Sequence, residues 1–277
     1  AALRHLANRY VSFLTASEPS DLENICFTAA TGRRHYEYRL AVSPMDRDDA
    51  VAQLRDLQAP GRPVSLSRGS EPRLGCVFPD LEHANYEVMS ALVTLVATEP
   101  VVAELLTDID RHLSGHLEKS NQPAFSILDN LATGKADSPL ITGYLLQAAL
   151  AKLWASWGIE ADAVLGFGSG EMAAYCVAGG VCFKDAAILV YEAQQLGKTP
   201  STDAVDTFEQ RADEFNFYPP KLPLISGHIG GVVPVHKSLG GGFWREMVSA
   251  DRGPTAEAIA AFMELGCDGV LQIGSCQ

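Results

Sequence analysis

Short apolar runs alternate with longer segments of helical periodicity from Leu74 to the end of the chain. The length, apolar content and flanking turn residues of these runs predict buried strands at LGCVF, ADAVLG, PLIS and GVLQIG. Between them the spacing predicts helices at 85–98, 100–117, 142–157 and 254–265, in KDAAILVYEAQQL, and in a segment that begins at LGFGSGEMAAY and ends near Gly179. Strands that alternate with helices are typical of a mostly parallel sheet covered on both faces. The predicted fold class is therefore α/β.

The first part of the chain follows a different pattern and is predicted to form a separate domain over residues 1–72. Apolar residues recur there at helical spacing, at Leu3, Leu6, Tyr10 and Leu14. HYEYRLAV is typical of a strand, and a charged helix is predicted from about Asp46 to Leu57. Residues 58–72 are rich in Pro, Gly and Ser, which indicates an extended connector. We expect a small α+β domain followed by an α/β domain over residues 73–277.

The charge balance excludes several classes of partner. The chain has 21 Lys and Arg residues against 34 Asp and Glu residues, for a formal net charge of −13. A nucleic-acid-binding protein needs basic residues to neutralise phosphates, and the sequence contains no basic stripe. An anionic membrane surface would repel the chain for the same reason. The sequence therefore predicts neither a nucleic-acid partner nor a membrane partner.

The cysteines argue against a metal or redox protein. They lie far apart, at Cys26, Cys76, Cys176, Cys182, Cys267 and Cys276. Because none has CxxC or Cys/His spacing, we expect reduced thiols in a cytoplasmic protein, with no metal and no cofactor. No signal peptide is recognisable, and no apolar run reaches the roughly 20 residues that span a bilayer. The chain begins without Met and stops just after an apolar run, so we expect it to be a segment of a longer protein.

The stretch LGFGSGEMAAY is a predicted strand-to-helix turn, which is where nucleophile elbows occur. Such a turn lifts a hydroxyl above the sheet edge and directs backbone N–H groups at an oxyanion. The elbow pattern G-x-S-x-G would require a serine at position 168, where the residue is Gly168. A dinucleotide-binding turn is also disfavoured, because the spacing is G-x-G-x-G and no acidic residue follows at the required distance.

Several segments resemble one enzyme family. IEADAVLGFGSGEMAAYCVAGGVCFKDAAILV resembles the nucleophile segment of the acyltransferase domains of modular polyketide synthases. FYPPKLPLISGHIGG, GCDGVLQIG and ATEPVVAELL resemble three further segments of the same domains. ATGRRHYEYRLAV, in the first domain, is similar to the linker domain between the ketosynthase and the acyltransferase. Together these segments cover nearly the whole chain.

The resemblance implies a reaction that this sequence lacks the residues to perform. In the family, a serine activated by a histidine takes an acyl group from coenzyme A and passes it to the phosphopantetheine arm of an acyl carrier protein. The nucleophile position is Gly168, and the adjacent family histidine position is Phe167. The oxyanion-hole glutamine position, in FPDLE, is Leu81, and the carboxylate-binding arginine position is Ala193. We therefore predict no catalytic residue at the family's positions.

The resemblance also implies a deletion. The family inserts a small ferredoxin-like subdomain and the catalytic histidine before FYPP, whereas this chain has only Gly197 to Asn216 there. A segment of that length is too short for a β-α-β-β-α-β unit. No histidine occurs between His116 and His228, so the general base is expected to be absent. The substrate cleft should be half open to solvent.

Two polar residues remain as weaker catalytic alternatives. Ser169 could replace the missing nucleophile, but capping of the following helix is the favoured role. Glu171 is favourably placed against the dipole of that helix. His228, in SGHIGG, could serve a polar function, although a loop histidine with ordinary hydrogen bonds is favoured.

The aromatic residues are predicted to be structural. Trp154 and Trp157 have a spacing suited to core packing rather than to ligand binding. Phe243 and Trp244 follow three glycines in SLGGGF, which is expected to be a flexible loop. They are interpreted as a core anchor, with an exposed binding anchor as the alternative.

The favoured hypothesis is a non-catalytic acyltransferase-like region of a modular polyketide synthase, preceded by its linker domain. It would act as a structural spacer and as a docking platform for a separate, trans-acting acyltransferase. Its partners would be the neighbouring ketosynthase and acyl carrier domains. One alternative is an active acyltransferase or thioester hydrolase that uses Ser169. Another is a binding module that holds an acyl chain non-covalently.

Overall fold

The described residues of the computed structural model are 2–16, 22–34, 36, 38–56, 65–66, 72–81, 86–134, 138–197, 200–249 and 255–274. The chain divides into two units, Ala1–Glu71 and Pro72–Gln277, and each unit is described by itself.

The first unit contains three helices and a short antiparallel ribbon. Its elements are α1 (Ala2–Ala16), α2 (Leu22–Thr31), β1 (Tyr38–Arg39), α3 (Arg47–Asp56) and β2 (Ser65–Leu66). Helices α1 and α3 pack through buried Ala7, Leu14 and Ala50, and the Arg47 guanidinium donates to the Leu14 carbonyl oxygen. The predicted strand HYEYRLAV is wrong in extent, because among its described residues only Tyr38–Arg39 pairs with β2, and His35 and Glu37 lie outside the described residues. Helix α2 was not predicted. Leu57 and most of the predicted connector lie outside the described residues.

The second unit is built on a five-stranded sheet. Its strands are β3 (Leu74–Phe78), β4 (Ala163–Gly166), β5 (Leu224–Ser226), β6 (Gly231–Val232) and β7 (Gly269–Gln272). They lie in the order β6-β5-β4-β3-β7, and all neighbours are parallel except β5 and β6. The four predicted strands and the mostly parallel sheet are confirmed. The short antiparallel strand β6 was not predicted.

Nine helices complete the described part of the second unit. They are α4 (Tyr86–Thr98), α5 (Pro100–Lys119), α6 (Ile127–Thr133), α7 (Pro139–Ser156), α8 (Gly170–Val177), α9 (Phe183–Leu196), α10 (Thr202–Ala212), α11 (Gly241–Ser249) and α12 (Thr255–Glu264). Their ends follow ordinary capping chemistry. Pro100 occupies the first turn of α5, and the Ser126 hydroxyl accepts a hydrogen bond from the Asp129 N–H at the start of α6.

Helices α10 and α11 depart from the sequence prediction. Helix α10 occupies the short segment where the family inserts a subdomain, and it buries Val205, Phe208 and Ala212. Helix α11 begins inside SLGGGF, which was predicted to be a flexible loop. The Gly241 N–H donates to Asp213 Oδ1 at 3.0 Å, and an added Cβ on Gly241 would lie 2.5 Å from the same oxygen. The glycine therefore lets the start of α11 pack closely against the end of α10.

The sheet is covered on both faces. Val164 belongs to the large hydrophobic cluster, whereas Ala163 and Leu165 belong to a smaller cluster with Ala258 and Phe262 of α12. Successive side chains of a strand point to opposite faces, so this alternation places a core on each side of β4. The predicted α/β architecture with helices on both faces is confirmed.

The aromatic predictions have mixed outcomes. Trp244 is 1% exposed and lies in the large cluster, so the predicted core anchor is confirmed for that residue. Phe243 is half-buried and packs edge-on against Trp244. Trp154 packs against the core, but Trp157 is 57% exposed, so its prediction as a core residue is wrong. Trp157 is the C-cap of α7, and its ring packs edge-on against Trp154 with centroids 5.3 Å apart.

No single described helix has the length and apolar composition needed to cross a membrane. Helices α4 and α5 meet that requirement only as a pair, which is bent by 112° at the junction.

We expect two helical glycines to respond oppositely to alanine. A Cβ on Gly143 of α7 would lie 2.8 Å from Leu81 Cβ and 2.9 Å from Leu81 O, whereas nothing lies within 4 Å of a Cβ on Gly115 of α5. Gly143→Ala should therefore destabilise the protein by about 1 to 3 kcal/mol through overpacking. Gly115→Ala, the matched control, should stabilise it by about 0.5 to 1 kcal/mol. Urea unfolding measures both, and equal effects would contradict the close packing of α7 on Leu81.

Candidate functional site

The candidate site is the strand-to-helix turn formed by residues 166–170, here called the corner. Strand β4 ends at Gly166, and α8 begins at Gly170. The Phe167 N–H donates to the Phe78 carbonyl oxygen at 2.9 Å, and the Gly170 N–H donates to the Phe167 carbonyl oxygen at 2.8 Å. The corner therefore lies at the carboxyl ends of β3 and β4. Open α/β sheets place their ligand sites at this edge.

Glycines allow three chain segments to meet at the corner. An added Cβ on Gly170 would lie 2.3 Å from the Phe78 carbonyl oxygen, and one on Gly166 would lie 2.6 Å from Glu171 Cα. One on Gly227, just after β5, would lie 2.4 Å from the Phe167 ring. Each distance is too short for a side chain. The loops after β3 and β5 therefore contact the corner at close range.

The carboxylate of Asp80 occupies the space above Gly168. Gly168 has φ +50°, and an added Cβ would lie 2.5 Å from Asp80 Oδ2 and 2.6 Å from Asp80 Cγ. A side chain at position 168 thus requires Asp80 to move. Asp80 was not predicted from the sequence as a site residue. The available signal was that FPDLE has an aspartate where the family segment F-x-G-Q-G has its first glycine.

Ser169 is bound to the loop after β3. Its hydroxyl donates to Asp80 Oδ1 at 2.9 Å and accepts from the Leu81 N–H at 2.7 Å. The Ser169 N–H lies 3.3 Å from the same Asp80 oxygen. Ser169 does stand at the N-cap of α8, but its side chain makes no capping hydrogen bond and its backbone is already helical. The predicted capping role is therefore wrong, because an N-cap serine needs an extended backbone to reach back to the helix.

Two buried residues hold the loop after β3 in place: Leu81, which belongs to the loop, and Gln147 of α7. Leu81, at the family's glutamine position, is buried and packs against Gly143. Gln147 of α7 is also buried, and its Nε2 donates to the Pro79 carbonyl oxygen at 2.7 Å. Gln147 Oε1 is buried and has no hydrogen-bond partner in the described part of the chain. Gln147 was not predicted from the sequence as a site residue, since it lies within an apolar helix far from the loop in sequence.

His228 does not approach Ser169. Its backbone N–H donates to Glu171 Oε1 at 2.7 Å, and its ring packs edge-on against Phe243 with centroids 5.6 Å apart. No hydrogen bond joins Ser169 and His228, both of which the structure describes. The structure thus pairs Ser169 with Asp80, and not with the histidine considered in the sequence analysis.

Glu171 is a buried carboxylate that ties the corner to β5. It is 1% exposed, and it accepts hydrogen bonds from the Ser226 hydroxyl at 3.0 Å and from the His228 and Gly227 N–H groups. Burial raises the pKa of Glu171 to about 7, and these hydrogen bonds partly oppose the rise. Glu171 therefore binds groups in β5 and directly after it, in addition to the helix-dipole interaction that the sequence predicted.

Ala193, at which the resemblance implies a carboxylate-binding arginine, is half-buried and packs against the large hydrophobic cluster. The residue before it, Glu192, has a side chain that is only 4% exposed. His116 Nε2 lies 3.4 Å and Arg211 Nη1 lies 3.5 Å from its Oε1. This polar group lines a cavity of about 210 Å³ between α9 and α10. The residues lining that cavity include none from the corner.

A larger groove of about 440 Å³ lies between α5 and α9. We call it the α5–α9 groove. Its charged and histidine residues are Asp108, Arg111, His112, His116, Lys119, Lys184 and Asp185. Within it, His112 Nε2 lies 2.8 Å from Asp185 Oδ1, and Arg111 pairs with Asp108 at 2.9 Å. Among the described residues, no cluster of three or more His, Cys, Asp or Glu side chains could hold a metal ion.

The buried Glu171 predicts a specific pH dependence of stability. Because its folded pKa of about 7 exceeds the ordinary 4.5, the stability that its proton provides is fully present below about pH 4.5 and is lost as the pH rises through about 7. Glu171→Gln should remove this loss. From about pH 5 to pH 8, the free energy of unfolding of Glu171→Gln should rise by on the order of 2 kcal/mol relative to that of the unsubstituted protein. Urea unfolding across this range measures the difference, and a constant difference would contradict the raised pKa.

Comparisons with known proteins agree with this fold. Residues 1–54 match a family model described as CurL-like, PKS C-terminal. Over 241 residues the chain is 30% identical to the PKS-NRPS hybrid synthetase acdB of Aspergillus candidus, covering 83% of this chain and 9% of the relative. It is 33% identical over 193 residues to Erythronolide synthase EryA3 of Saccharopolyspora erythraea, covering 68% of this chain and 6% of the relative. The chain thus spans only a small fraction of these curated relatives.

Solved acyltransferase domains share the fold. The acyl transferase domain of ZmaA superposes with a TM-score of 0.75 at 16% identity, covering 100% of this chain and 80% of that domain. The acyltransferase domain from the second module of the salinomycin polyketide synthase gives a TM-score of 0.63 at 20% identity, covering 99% and 80% respectively. On the corner geometry, the sheet topology and these similarities together, the chain is a polyketide synthase acyltransferase-type domain.

Proposed function

We propose that this chain is a non-catalytic acyltransferase-like region of a modular polyketide synthase. It acts as a structural spacer and as a docking platform for a separate acyltransferase. One observation carries the proposal: Gly168 has no side chain at the family's nucleophile position, and the Asp80 carboxylate fills the space where that side chain would stand.

Acyl transfer needs a nucleophile, a base and free oxyanion donors at one place. Gly168 cannot attack a thioester, and Phe167 stands at the position of the adjacent family histidine. The N–H group of Ser169, in the corner, is already bonded to Asp80, and the N–H group of Leu81, in the loop after β3, is already bonded to the Ser169 hydroxyl. Loss of a nucleophile or base alone costs roughly 10⁴ to 10⁶ in rate. A working acylation site is therefore not supported.

The spacer role rests on a core that does not depend on catalytic groups. Glu171 holds the corner, and Gln147 holds the loop after β3. Helix α10 is formed by the segment that stands in place of the family's subdomain. Each of these contacts is made within the second unit. The region can therefore keep a fixed shape between the ketosynthase and acyl carrier domains of the parent synthase.

The docking role is assigned to the α5–α9 groove. The chain as a whole is strongly acidic, yet this groove contains Arg111, Lys119, Lys184 and two histidines against two acidic residues, Asp108 and Asp185. Lys119 and Lys184 make no ion pair with any residue that the structure describes. A groove with unpaired lysines in an acidic chain favours a partner with an acidic surface. We propose that this partner is the acyltransferase that supplies the missing activity.

A second candidate function is an active acyltransferase or thioester hydrolase that uses Ser169. The observation in its favour is the 2.9 Å hydrogen bond from the Ser169 hydroxyl to Asp80 Oδ1, since a carboxylate can accept the proton as the oxygen attacks. The oxygen would then bond to the thioester carbonyl carbon, the C–S bond would break, and the sulfur would leave as a thiol after taking the proton back from Asp80. Against it, the Leu81 N–H already occupies one lone pair of the hydroxyl oxygen.

We expect no acylation when the protein is incubated with malonyl-CoA or acetyl-CoA. Intact-mass spectrometry should show the unmodified mass, because no side chain stands at position 168. Ser169→Ala is the matched control. A covalent adduct that forms on the unsubstituted protein and disappears in Ser169→Ala would establish the second candidate and overturn the non-catalytic assignment.

Docking is tested by native mass spectrometry with candidate acyltransferases. Charge reversal by Lys184→Glu should weaken the complex about tenfold or more if the groove is the interface, because opposite charges across an interface contribute to its affinity. Lys152→Glu, an exposed lysine on α7 outside the groove, should leave it unchanged. If no complex forms at tens of micromolar and carrier loading is unchanged on deletion of the segment, only the spacer role remains.

A further inference from the structure

We propose that the cavity between α9 and α10 is a binding site for a small organic cation that carries a primary ammonium group. The inference goes beyond the proposed function and does not depend on it. No residue of the corner lines this cavity, and neither does Ala193, at the position of the family's arginine. The charge of the proposed ligand is also opposite to that of the carboxylate which the family's arginine binds.

Glu192 is a buried carboxylate with few strong hydrogen bonds. Its side chain is 4% exposed, and three donors share one of its oxygens. Oε1 lies 3.4 Å from His116 Nε2, 3.4 Å from Gln122 Nε2 and 3.5 Å from Arg211 Nη1. Because a charged nitrogen ordinarily lies about 2.7 to 2.9 Å from a carboxylate oxygen, all three contacts are weak. The other oxygen, Oε2, is buried and accepts no hydrogen bond from the part of the chain that the structure describes.

A further donor would stabilise this carboxylate. A carboxylate that is removed from water without strong partners carries a large desolvation cost. An N–H group of a ligand would offset that cost, and a charged donor would offset more of it than a neutral donor. The terminal torsion of a glutamate side chain is broad and roughly two-fold, so either oxygen of Glu192 can turn toward such a donor.

The walls of the cavity fit the carbon part of such a ligand. Leu196 of α9 and Ala204 and Phe208 of α10 line it, and Phe208 is 4% exposed. Apolar walls combined with one buried carboxylate favour a ligand that has a short hydrocarbon chain and a cationic end. The cavity volume of about 210 Å³ is below the roughly 300 to 1,000 Å³ of pockets that hold drug-sized ligands. The ligand is therefore small.

The charges around the cavity favour a cation over an anion. Glu192 and Arg211 are the charged residues of its lining, and the Arg211 side chain is 48% exposed whereas that of Glu192 is buried. Water and salt therefore screen the guanidinium more than they screen the carboxylate. The chain also has a net charge of −13, which attracts cations and repels anions.

The test compares n-butylammonium with two probes that each lack one of its properties, by thermal unfolding at pH 7 and constant ionic strength. n-Butanol has the same carbon chain without the charge, and tetramethylammonium has the charge without an N–H donor. n-Butylammonium should give a saturable rise in Tm of about 3 °C at tenfold excess over its Kd, and the two other probes should give none. If n-butylammonium has no effect, or no greater effect than either probe, the inference is overturned.

Two substitutions in the cavity test the location of the site. Glu192→Gln keeps the shape of the side chain but removes its charge, and should weaken n-butylammonium binding at least tenfold. Ala204→Leu fills the cavity from α10 and leaves Glu192 in place. It should have the same effect, and it serves as the test if Glu192→Gln does not fold. Glu104→Gln is the matched control, because Glu104 is an exposed glutamate of α5 that does not line the cavity, and it should bind normally. Unchanged affinity in a folded cavity variant, or an equal loss in Glu104→Gln, would contradict the proposed site.

A substitution of Arg211 tests the site in the opposite direction. Its guanidinium repels a second cation and contacts Glu192 Oε1, for which the ligand would compete. Arg211→Gln should therefore strengthen n-butylammonium binding several-fold. Binding that is unchanged or weaker in a folded Arg211→Gln variant would show that Glu192 is not the group that holds the cation.

Discussion

The close approach between the loop after β3 and the corner after β4 is the constraint on which the rest of the site depends. The Gly170 backbone lies against the Phe78 carbonyl oxygen, with no room for a Cβ between them. Strand pairing brings these chain segments side by side, since Phe78 is opposite Gly166 in the β3–β4 register. Asp80, two residues after Phe78, lies with its carboxylate over Gly168. The hydrogen bonds of Ser169 follow from that geometry.

Much of the fold could be predicted from the sequence because its strands are short apolar runs. Such runs can be recognised from local composition, without knowledge of distant contacts. The α10 helix was missed because its apolar residues, Val205 and Phe208, are few and lie among charged residues. Its stability comes from packing on α9 and α11. The start of α11 was missed for a similar reason. Three consecutive glycines indicate a loop, unless a partner such as Asp213 accepts the first N–H group.

The sequence shows that position 168 has no side chain, but it does not show which residue fills the space above it. A missing side chain can be read from one position, and Gly168 is such a position. The partner that fills the space cannot, since Ser169 and Asp80 are 89 residues apart and only the parallel pairing of β3 and β4 brings them together. The prediction that Ser169 caps α8 failed for a related reason. A hydroxyl that is already bound to a distant loop is not available to its own helix.

The residues that hold the corner are distinct from those that acyl transfer would use. The fold can therefore stay intact although position 168 has no side chain. Glu171 ties the corner to β5, Gln147 holds the loop after β3, and Gly166 and Gly170 permit the contact. None of these interactions involves a side chain at position 168, so its absence removes no contact from the core. Asp80 then adds two hydrogen bonds between the loop and the corner that a glycine could not make. A carboxylate at this place therefore joins the loop after β3 to the corner through side-chain hydrogen bonds, without any side chain at position 168.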